Sequence, residues 1–317
     1  MTGANDALID GLLSGDKLCL SRAITAVENS SDAAPHILTI IQEHLGQAAI
    51  VGFTGPPGAG KSTLISTCVG ELRHRNKTVA VIAVDPSSPI SGGAILGDRI
   101  RMAEHVSDEG VFIRSLASRG HLGGLTQTTM QVVDLMDAAG WDYVILETVG
   151  AGQSEIEIAD LAPTRIVLSA PGLGDDIQAM KAGILEIADI LVVNKADLEG
   201  SDQTVQQLKS MLGLRPHEAP KIPVIETIAT SGTGVDLLID AVLAHTTSNI
   251  DKAGNSDRQK RFRKLLADNA ARRIADLITT ETAPGVEEIC DQFQRGEIDI
   301  DTAVRRVLHE ASGTEGE

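Results

Sequence analysis

Residues 55–62 read GPPGAGKS and match the pattern GxxxxGK[ST] in full. The pattern follows an apolar strand candidate at 50–53 and precedes a helical stretch at 62–73, which is the context that it needs. Its glycines let successive backbone N–H groups turn inward around the α- and β-phosphates, and the start of the helix adds a partial positive charge. In such a loop Lys61 neutralises the β- and γ-phosphates and the Ser62 hydroxyl binds Mg²⁺. The sequence therefore predicts a nucleotide-binding loop.

A second group of residues, Asn194, Lys195 and Asp197, forms the sequence NKAD directly after the apolar run 190–193. A carboxylate here accepts hydrogen bonds from both N1–H and the 2-amino group of guanine, whereas adenine leaves it unpaired. A site built on a ligand's hydrogen bonds rejects the analogue that lacks them by about 10⁴–10⁵. The same short pattern also occurs at helix N-caps. Because it follows a complete phosphate-binding loop, we interpret it as a guanine-binding motif and predict GTP rather than ATP.

The segment 143–150, YVILETVG, is an apolar strand candidate that ends in an acid and is followed by a glycine. Glu147 stands where a Mg²⁺-linked carboxylate is usual, although GTPases usually have Asp, and the Gly150 amide stands beside the expected γ-phosphate. The next residue is Ala151, where small GTPases carry the Gln that orients the attacking water, and Gln153 comes too late. The sequence therefore predicts slow intrinsic hydrolysis.

Three further loops begin at the ends of strand candidates. In 85–101, Asp85 and Asp98 flank a Gly/Ser-rich stretch, which is the composition of a switch loop around Mg²⁺ and the γ-phosphate or of a long surface loop. The stretch 114–125 combines arginines, a histidine and glycines, and a solvated loop is the alternative reading. The segment 171–181 is either a third nucleotide-sensing segment or a helix start with acids at its positive end.

These residues require parallel strands whose carboxyl ends meet at one edge of a sheet. Seven short apolar runs are the strand candidates: 48–53, 79–84, 111–113, 143–146, 166–168, 190–193 and 224–225. Most of them lack polar alternation, which is typical of strands buried on both faces, and helical stretches separate them. The sequence therefore predicts an α/β fold over residues 47–249, a P-loop G domain with a mostly parallel doubly wound sheet.

Helical extensions are predicted on both sides of this domain. Residues 1–46 have apolar residues at helical spacing, with a third helix at 36–45 that ends at Gly46, a helix-stop glycine. Near the carboxyl terminus, apolar residues repeat at helical spacing over 262–278, and two helical stretches follow at 286–293 and 302–308. An appendage of this size buries little apolar surface by itself. We therefore interpret residues 250–317 as a dimerisation arm or a lid.

The composition argues against several classes of function. The 317 residues carry a net charge of −17 with four Phe, one Tyr and one Trp, which argues against binding to nucleic acid or an anionic membrane. The three cysteines, Cys19, Cys68 and Cys290, lie far apart and do not form a disulfide framework. Since neither a signal peptide nor an apolar run long enough to span a membrane is visible, we expect a cytoplasmic protein.

Taken in order, GPPGAGKS, DPSSPISGGAILGDRIRM, RSLASRGHLGG, ETVGAGQSE and NKAD resemble the MeaB/ArgK family over about residues 10–310. Members of that family are homodimeric GTPases associated with methylmalonyl-CoA mutase and related cobalamin-dependent acyl-CoA mutases. The resemblance implies a chaperone that gates cofactor loading, protects the mutase from inactivation and helps to replace damaged cobalamin. It also implies GTP or GDP and Mg²⁺ as ligands, with a mutase and a second copy of the chain as partners.

The resemblance implies a role for each matching residue. Nucleotide binding falls to Gly55, Pro57, Gly58, Ala59, Gly60, Lys61, Ser62, Thr63, Gly150, Asn194, Lys195, Asp197 and Ala229. Mg²⁺ binding falls to Ser62, Asp85, Asp98 and Glu147, and catalysis to Lys61, Glu147 and two basic residues that the partner repositions, Arg101 and Lys181. Residues 227–229 read Thr-Ile-Ala where the family usually has Thr-Ser-Ala, and the Ala229 amide still meets guanine O6.

Two other functions fit parts of this pattern. One is a transport-coupled nucleotide kinase or ATPase, which the NKAD motif disfavours because that motif selects guanine. The other is a nickel-insertion GTPase, which shares the G domain and usually has His- or Cys-rich metal sites, whereas the eight histidines here are scattered. The preferred interpretation is the GTPase chaperone.

Overall fold

A computed structural model describes residues 2–85, 102–117, 124–148, 161–173, 187–216, 220–248 and 284–313, with positions 263, 266–267, 270–271, 274–275 and 278. The chain divides into two compact units, Met1–Lys252 and Ala253–Glu317. The domain boundaries predicted after residues 46 and 249 stay predictions.

The first unit is built on a seven-stranded sheet in which every pairing is parallel. In chain order its strands are β1 (Ala49–Thr54), β2 (Val79–Asp85), β3 (Val111–Ala117), β4 (Tyr143–Thr148), β5 (Thr164–Ser169), β6 (Ile190–Asn194) and β7 (Val224–Thr227). Their order in the sheet is β3-β2-β4-β1-β5-β6-β7. Strands β2, β3 and β4 lie on one side of β1, and β5, β6 and β7 lie on the other. The loop after β1 therefore lies at the switch point where α/β sheets bind ligands. The predicted fold class is confirmed.

All seven predicted strands are present, and each continues beyond the last apolar residue of its prediction. The added residues include Thr54, Glu147, Asn194 and Thr227, all of them polar and all buried. The apolar pattern stops where each strand reaches the edge of the sheet, whereas the backbone hydrogen bonds continue. The largest error was in β3, where Arg114 and the residues after it belong to the strand rather than to a loop.

Helices cover both faces of the sheet. In chain order they are α1 (Thr2–Leu13), α2 (Lys17–Glu28), α3 (Ala34–Ile40), α4 (Lys61–His74), α5 (Gly124–Ala138), α6 (Ser201–Leu212) and α7 (235–248). Ala80 and Ile82 of β2 share a core with α1, α2, α3 and α5, whereas Val79 and Val81 share the opposite core with α4 and α7. This alternation is the two-residue period of a strand, here apolar on both faces because both faces are covered.

The N-terminal helices form one wall of this core. Leu12, Leu20, Ile24 and Ile37 are almost fully buried together with residues of β2 and β4, and each such side chain contributes about 1.5–3 kcal/mol. The helix predicted over 36–45 is divided into α3 and a 3₁₀ turn, Ile41–His44.

A single carboxylate holds the junction between these helices and β1. Asp137 of α5 is buried and accepts hydrogen bonds from the backbone N–H groups of Gly46, Gln47 (2.9 Å) and Ala48 (2.7 Å). The backbone turns at Gly46, which has a φ of +100°, a value that favours glycine. Strand β1 therefore begins at a fixed place, and the loop that follows it begins at a fixed place too.

The second unit contains α8 (Pro284–Gln294) and α9 (Ile300–Gly313), which confirm the helices predicted at 286–293 and 302–308. Among the described residues of this unit, Ile289, Ala303 and Val307 form a small buried cluster, with Ile274 and Ile298 packed against it. Several large apolar side chains of this unit are exposed: Leu266, Ile278, Phe293, Ile300, Val304 and Leu308. In the described part of the chain, we find no helix that is both long and apolar enough to cross a membrane.

Candidate functional site

The glycine-rich loop joins the end of β1 to the start of α4 at the switch point of the sheet. Gly55, Gly58 and Gly60 have φ values of +144°, +79° and +90°, a region that other residues adopt only at a cost. A Cβ at Gly55 would lie 2.5 Å from the carbonyl oxygen of Leu168 in β5, and one at Gly60 would lie 2.5 Å from Nδ2 of Asn194 in β6. The loop therefore needs glycine both for its backbone shape and for its close packing against two neighbouring strands.

Lys61 is the first residue of α4, and its side chain turns back into the loop. The residue is only 8% exposed, and its Nζ donates hydrogen bonds to the carbonyl oxygens of Gly55 (2.5 Å) and Pro56 (3.2 Å). Gly60, in the left-handed region, is the N-cap of the helix, so the positive end of the α4 dipole lies at the same place and favours an anion there. The loop concentrates positive charge and N–H donors at one point, as a phosphate-binding loop requires.

Ser62 and Glu147 form a buried polar pair beside this loop. The Ser62 hydroxyl donates to Oε1 of Glu147 over 2.6 Å, and both residues are nearly inaccessible to solvent. Glu147 is held in the centre of the sheet because β4 pairs with β1 at Phe53 and with β2 at Ala83. A buried hydroxyl and carboxylate are the hard oxygen donors that Mg²⁺ prefers, so this pair fits a divalent cation.

Other predicted site residues are described only in part or not at all. Asp85 is the last residue of β2, at the same edge of the sheet, and only its backbone is described. Four predicted residues lie outside the described residues: Asp98, Arg101, Gly150 and Lys181. Their roles in metal binding and hydrolysis stay predictions.

The chain directly after Arg101 is anchored to the phosphate-loop helix. Met102 is fully buried in the same core as α4. His105 approaches the carbonyl oxygen of Ser66 with its Nε2 at 2.9 Å, and the Ser66 hydroxyl donates to Glu104 over 2.6 Å. In the sequence, Arg101 directly precedes this anchored segment.

A cavity of about 230 Å³ lies beside the end of the loop at Gly60. Its walls come from the loop, α4, the NKAD motif and the segment after β7: Gly60, Thr63, Asn194, Lys195, Asp197, Leu198, Ile228, Ala229 and Thr230. The structure thus brings together all three residues of the NKAD prediction with Ala229. Asp197 and Lys195 are exposed and line this cavity, so their side chains are accessible from it.

The buried side chain of Asn194 links the loop to the residues that line this cavity. It is 1% exposed, and its Nδ2 donates to the carbonyl oxygen of Ala59 over 2.8 Å. Its Oδ1 accepts from the Thr227 hydroxyl and from the backbone N–H of Ala229, both at 3.1 Å. One buried amide therefore connects the phosphate loop, the end of β6, the end of β7 and the next turn.

Sequence reasoning named Thr227 only as part of the segment 227–229, with no role for its side chain, and missed Thr67. The Thr227 hydroxyl bonds to Asn194, and the Thr67 hydroxyl of α4 donates to the carbonyl oxygen of Ala229 over 2.8 Å. A polar residue at the end of an apolar strand was a usable signal for Thr227. Thr67 gave no signal, because a threonine within a helix usually bonds to its own helix.

The thiol on α4 takes no part in this chemistry. Cys68 is fully buried among apolar side chains, and burial raises its pKa far above the usual range of a thiol. It stays protonated and packs as a small apolar residue.

A glycine loop of this shape on a doubly wound parallel sheet, with NKAD at the end of a neighbouring strand, defines the class of protein as a P-loop GTPase. The particular family follows from the sequence: residues 20–283 match the family model of the methylmalonyl Co-A mutase-associated GTPase MeaB. The chain belongs to this family, it binds guanine nucleotide, and it hydrolyses GTP. The resemblance drawn from the motifs is confirmed.

Some relatives match nearly the whole chain, and others match part of it. A protein of Pyrococcus abyssi named as a GTPase is 42% identical over 315 residues, which is 97% of each chain. The GTPase ArgK of Escherichia coli is 44% identical over 190 residues, 59% of this chain and 57% of that one. The mouse protein named methylmalonic aciduria type A homolog, mitochondrial, is 37% identical over 257 residues, 75% of this chain and 62% of that one.

Solved structures agree with the fold. The crystal structure titled LAO/AO transport system kinase has a TM-score of 0.72 and 25% identity, and 97% of each chain is covered. HypB from Helicobacter pylori, solved in complex with nickel, has a TM-score of 0.50 and 18% identity over 68% of this chain and 94% of that one. The second likeness shows the fold alone.

The contact between Gly60 and Asn194 generates a prediction that needs no nucleotide. We expect Gly60→Ala to lower the melting temperature more than Gly58→Ala does. Both substitutions place an L-residue at positive φ, at a cost of about 1–2 kcal/mol. Only the Cβ at position 60 also displaces Asn194 from Ala59, since the Cβ at position 58 meets no described atom within 4 Å.

Displacing Asn194 costs about 1–3 kcal/mol more, because it leaves buried polar groups unpaired. Differential scanning calorimetry of the two nucleotide-free variants measures the difference. Equal melting temperatures for Gly58→Ala and Gly60→Ala would contradict the packing described here.

Proposed function

We propose that this GTPase is the G-protein chaperone of a cobalamin-dependent acyl-CoA mutase of the methylmalonyl-CoA mutase type. It gates cofactor loading, protects the mutase from inactivation and assists its reactivation. Support comes from membership of a family described as associated with methylmalonyl-CoA mutase and from the relative named for methylmalonic aciduria. The transport-coupled and nickel-insertion alternatives are not proposed, because no contact in the described residues favours either of them.

The buried pair formed by Ser62 and Glu147 is the observation that carries the proposed chemistry. In the proposal, the loop amides and Lys61 bind the phosphates, while Ser62, Glu147, Asp85 and Asp98 bind Mg²⁺. When bound, Mg²⁺ neutralises charge that develops on the phosphate oxygens. Lys61, Ser62 and Glu147 are buried, so that their charges and dipoles act in a medium of lower dielectric constant than water.

On the base side, we propose that Asp197 accepts hydrogen bonds from guanine N1–H and its 2-amino group. The Ala229 amide then donates to O6, sharing its N–H with Asn194 Oδ1 or exchanging one acceptor for the other. Support comes from the cavity that Asp197 and Ala229 both line. Lys195 covers the base from the exposed side of the same cavity.

We expect Asp197→Asn to weaken GTP binding about tenfold or more, because hydrogen bonds to a charged acceptor contribute about 1.5–3 kcal/mol. The same variant gains affinity for xanthosine triphosphate, whose 2-oxo group accepts from an amide. Titration calorimetry with GTP, ATP and xanthosine triphosphate tests both changes. Asp202→Asn, at another exposed aspartate, is the control and leaves the affinities unchanged. Equal affinities of the unmodified protein for GTP and ATP would refute the assignment.

Hydrolysis is proposed to be slow until the mutase binds. Ala151 stands where a water-orienting Gln is usual, so one part of the catalytic machinery has to come from elsewhere. Arg101 directly precedes the anchor at Met102 beside α4. We propose that Arg101 and Lys181 enter the site when the partner rearranges the loops that carry them.

A basic group supplied to the transition state raises the rate by about 10³–10⁵, so even partial repositioning is measurable. We expect methylmalonyl-CoA mutase to accelerate single-turnover GTP hydrolysis by the unmodified protein. Arg101→Ala and Lys181→Ala retain GTP affinity and lose most of this acceleration. Lys209→Ala, which removes an exposed lysine of α6, behaves like the parent. If Arg101→Ala and Lys181→Ala also respond like the parent, the activation role is wrong.

We further propose that the chain is a cytoplasmic homodimer whose interface includes the second unit. The exposed apolar side chains of this unit support the proposal, since apolar surface of this extent usually marks an interface. Among the described residues of this unit the buried cluster is small, and a small core gives little stability of its own.

We expect Leu266→Asp to convert the dimer into a monomer that still binds GDP. Leu266 is 67% exposed in the second unit, and a charge there is not tolerated in a dry interface. Leu214→Asp is the matched control, because Leu214 is 88% exposed in the first unit. Sedimentation velocity measures both variants. A dimer that persists in Leu266→Asp, or one that Leu214→Asp disrupts equally, would contradict the proposed interface.

A further inference from the structure

Thr67 connects the phosphate-binding helix to the turn behind the base cavity. Its hydroxyl lies 2.8 Å from the carbonyl oxygen of Ala229 and 3.0 Å from that of Thr63 in its own helix. Its methyl group faces Gly232, where an added Cβ would lie 3.6 Å away. A helical threonine usually bonds only to its own helix. A hydroxyl has one proton to donate, and here the shorter of its two contacts is the one to Ala229.

Ala229 is consequently held from two directions. Its N–H donates to Asn194 at 3.1 Å, and its carbonyl oxygen accepts from Thr67. The residue is 7% exposed. These two hydrogen bonds fix the backbone orientation of Ala229. Its two partners belong to different parts of the site, since Asn194 is in the base motif and Thr67 is in the phosphate helix.

The turn after β7 has few other ties to α4 among the described hydrogen bonds. Within the turn, Ile228 N donates to Thr233 O over 3.0 Å, and the hydroxyls of Ser231 and Thr233 lie 2.8 Å apart. These bonds shape the turn but do not fix its distance from the helix. Position 228 is an isoleucine, which offers no hydroxyl toward the base motif.

We propose that Thr67 is a positioning residue for guanine recognition: its hydroxyl holds Ala229 at the correct distance from α4 for the Ala229 amide to read the 6-oxo group. The inference rests on the proposed function of Ala229. In the proposal the start of α4 binds the phosphates, and Thr67 lies about 9 Å further along the same helix at 1.5 Å per residue. One rigid helix thereby sets both ends of the nucleotide site.

This role makes a specific prediction for ligands that differ at one edge of the base. GDP and IDP both carry the 6-oxo group, whereas the diphosphate of 2-aminopurine riboside lacks it together with the N1 proton. IDP lacks the 2-amino group that Asp197 is proposed to bind. IDP therefore reports on the 2-amino contact of Asp197 alone, whereas the 2-aminopurine ligand loses the Ala229 contact together with the N1–H contact of Asp197.

The test compares Thr67→Val with Thr67→Ser by titration calorimetry on the full chain. Valine keeps the methyl group toward Gly232 and removes the hydroxyl, whereas serine keeps the hydroxyl. We expect Thr67→Val to weaken GDP and IDP equally, by about five- to tenfold, the effect of one hydrogen bond. Its affinity for the 2-aminopurine ligand stays unchanged, and Thr67→Ser binds all three ligands like the parent.

Two results for Thr67→Val would overturn the inference. Unchanged affinity for all three ligands would show that the hydroxyl does not position Ala229. An equal loss for all three would show that the substitution acts on the phosphate side. In both cases the parent still prefers GDP to the 2-aminopurine ligand. If the parent itself binds the three ligands equally, the proposed base recognition fails, and this inference fails with it.

Discussion

The site depends on one buried side-chain amide, that of Asn194. In the interior, an unpaired amide group costs about 1–3 kcal/mol, so its hydrogen bonds constrain every element that supplies a partner. Those partners are the carbonyl of Ala59 in the phosphate loop, the hydroxyl of Thr227 and the amide of Ala229. The phosphate loop, β6 and β7 are thereby fixed relative to one another. Gly60 has to be a glycine because this same amide lies against it.

The parallel sheet explains why the polar residues meet where they do. Its strands are apolar while they run between two layers of helices, and they become polar at their carboxyl ends. Glu147 stays buried at such an end, within hydrogen-bonding distance of Ser62. A buried carboxylate is costly unless it is paired. The hydrogen bond from Ser62 to Glu147 therefore fixes β4 relative to α4. It also brings the pair that is proposed to bind Mg²⁺ next to the phosphate loop.

The same reasoning shows how far the sequence predicted the fold. All seven strands were predicted, since an apolar run between helical stretches is a strong signal in a doubly wound sheet. Their ends were placed too early, because the last residues of a strand at a ligand-binding edge are polar and resemble a loop. The helical nature of residues 1–46 was predicted, but not which face of the sheet they cover. That face is set by the alternation of Ala80 and Ile82 with Val79 and Val81, and by the hydrogen bonds of Asp137.

By itself, the sequence determined the class of protein and its family. The phosphate loop and the NKAD motif are each a continuous stretch of sequence, and the chemistry of each depends on the order of residues within that stretch. Only the tertiary structure decided which distant residues of the site bond to one another. Thr67 and Ala229 are 162 positions apart, and Asn194 and Ala59 are 135 positions apart. A hydrogen bond over such a separation depends on strand order, helix placement and the burial of both partners. The spacing of the two residues along the chain does not predict strand order, helix placement or burial.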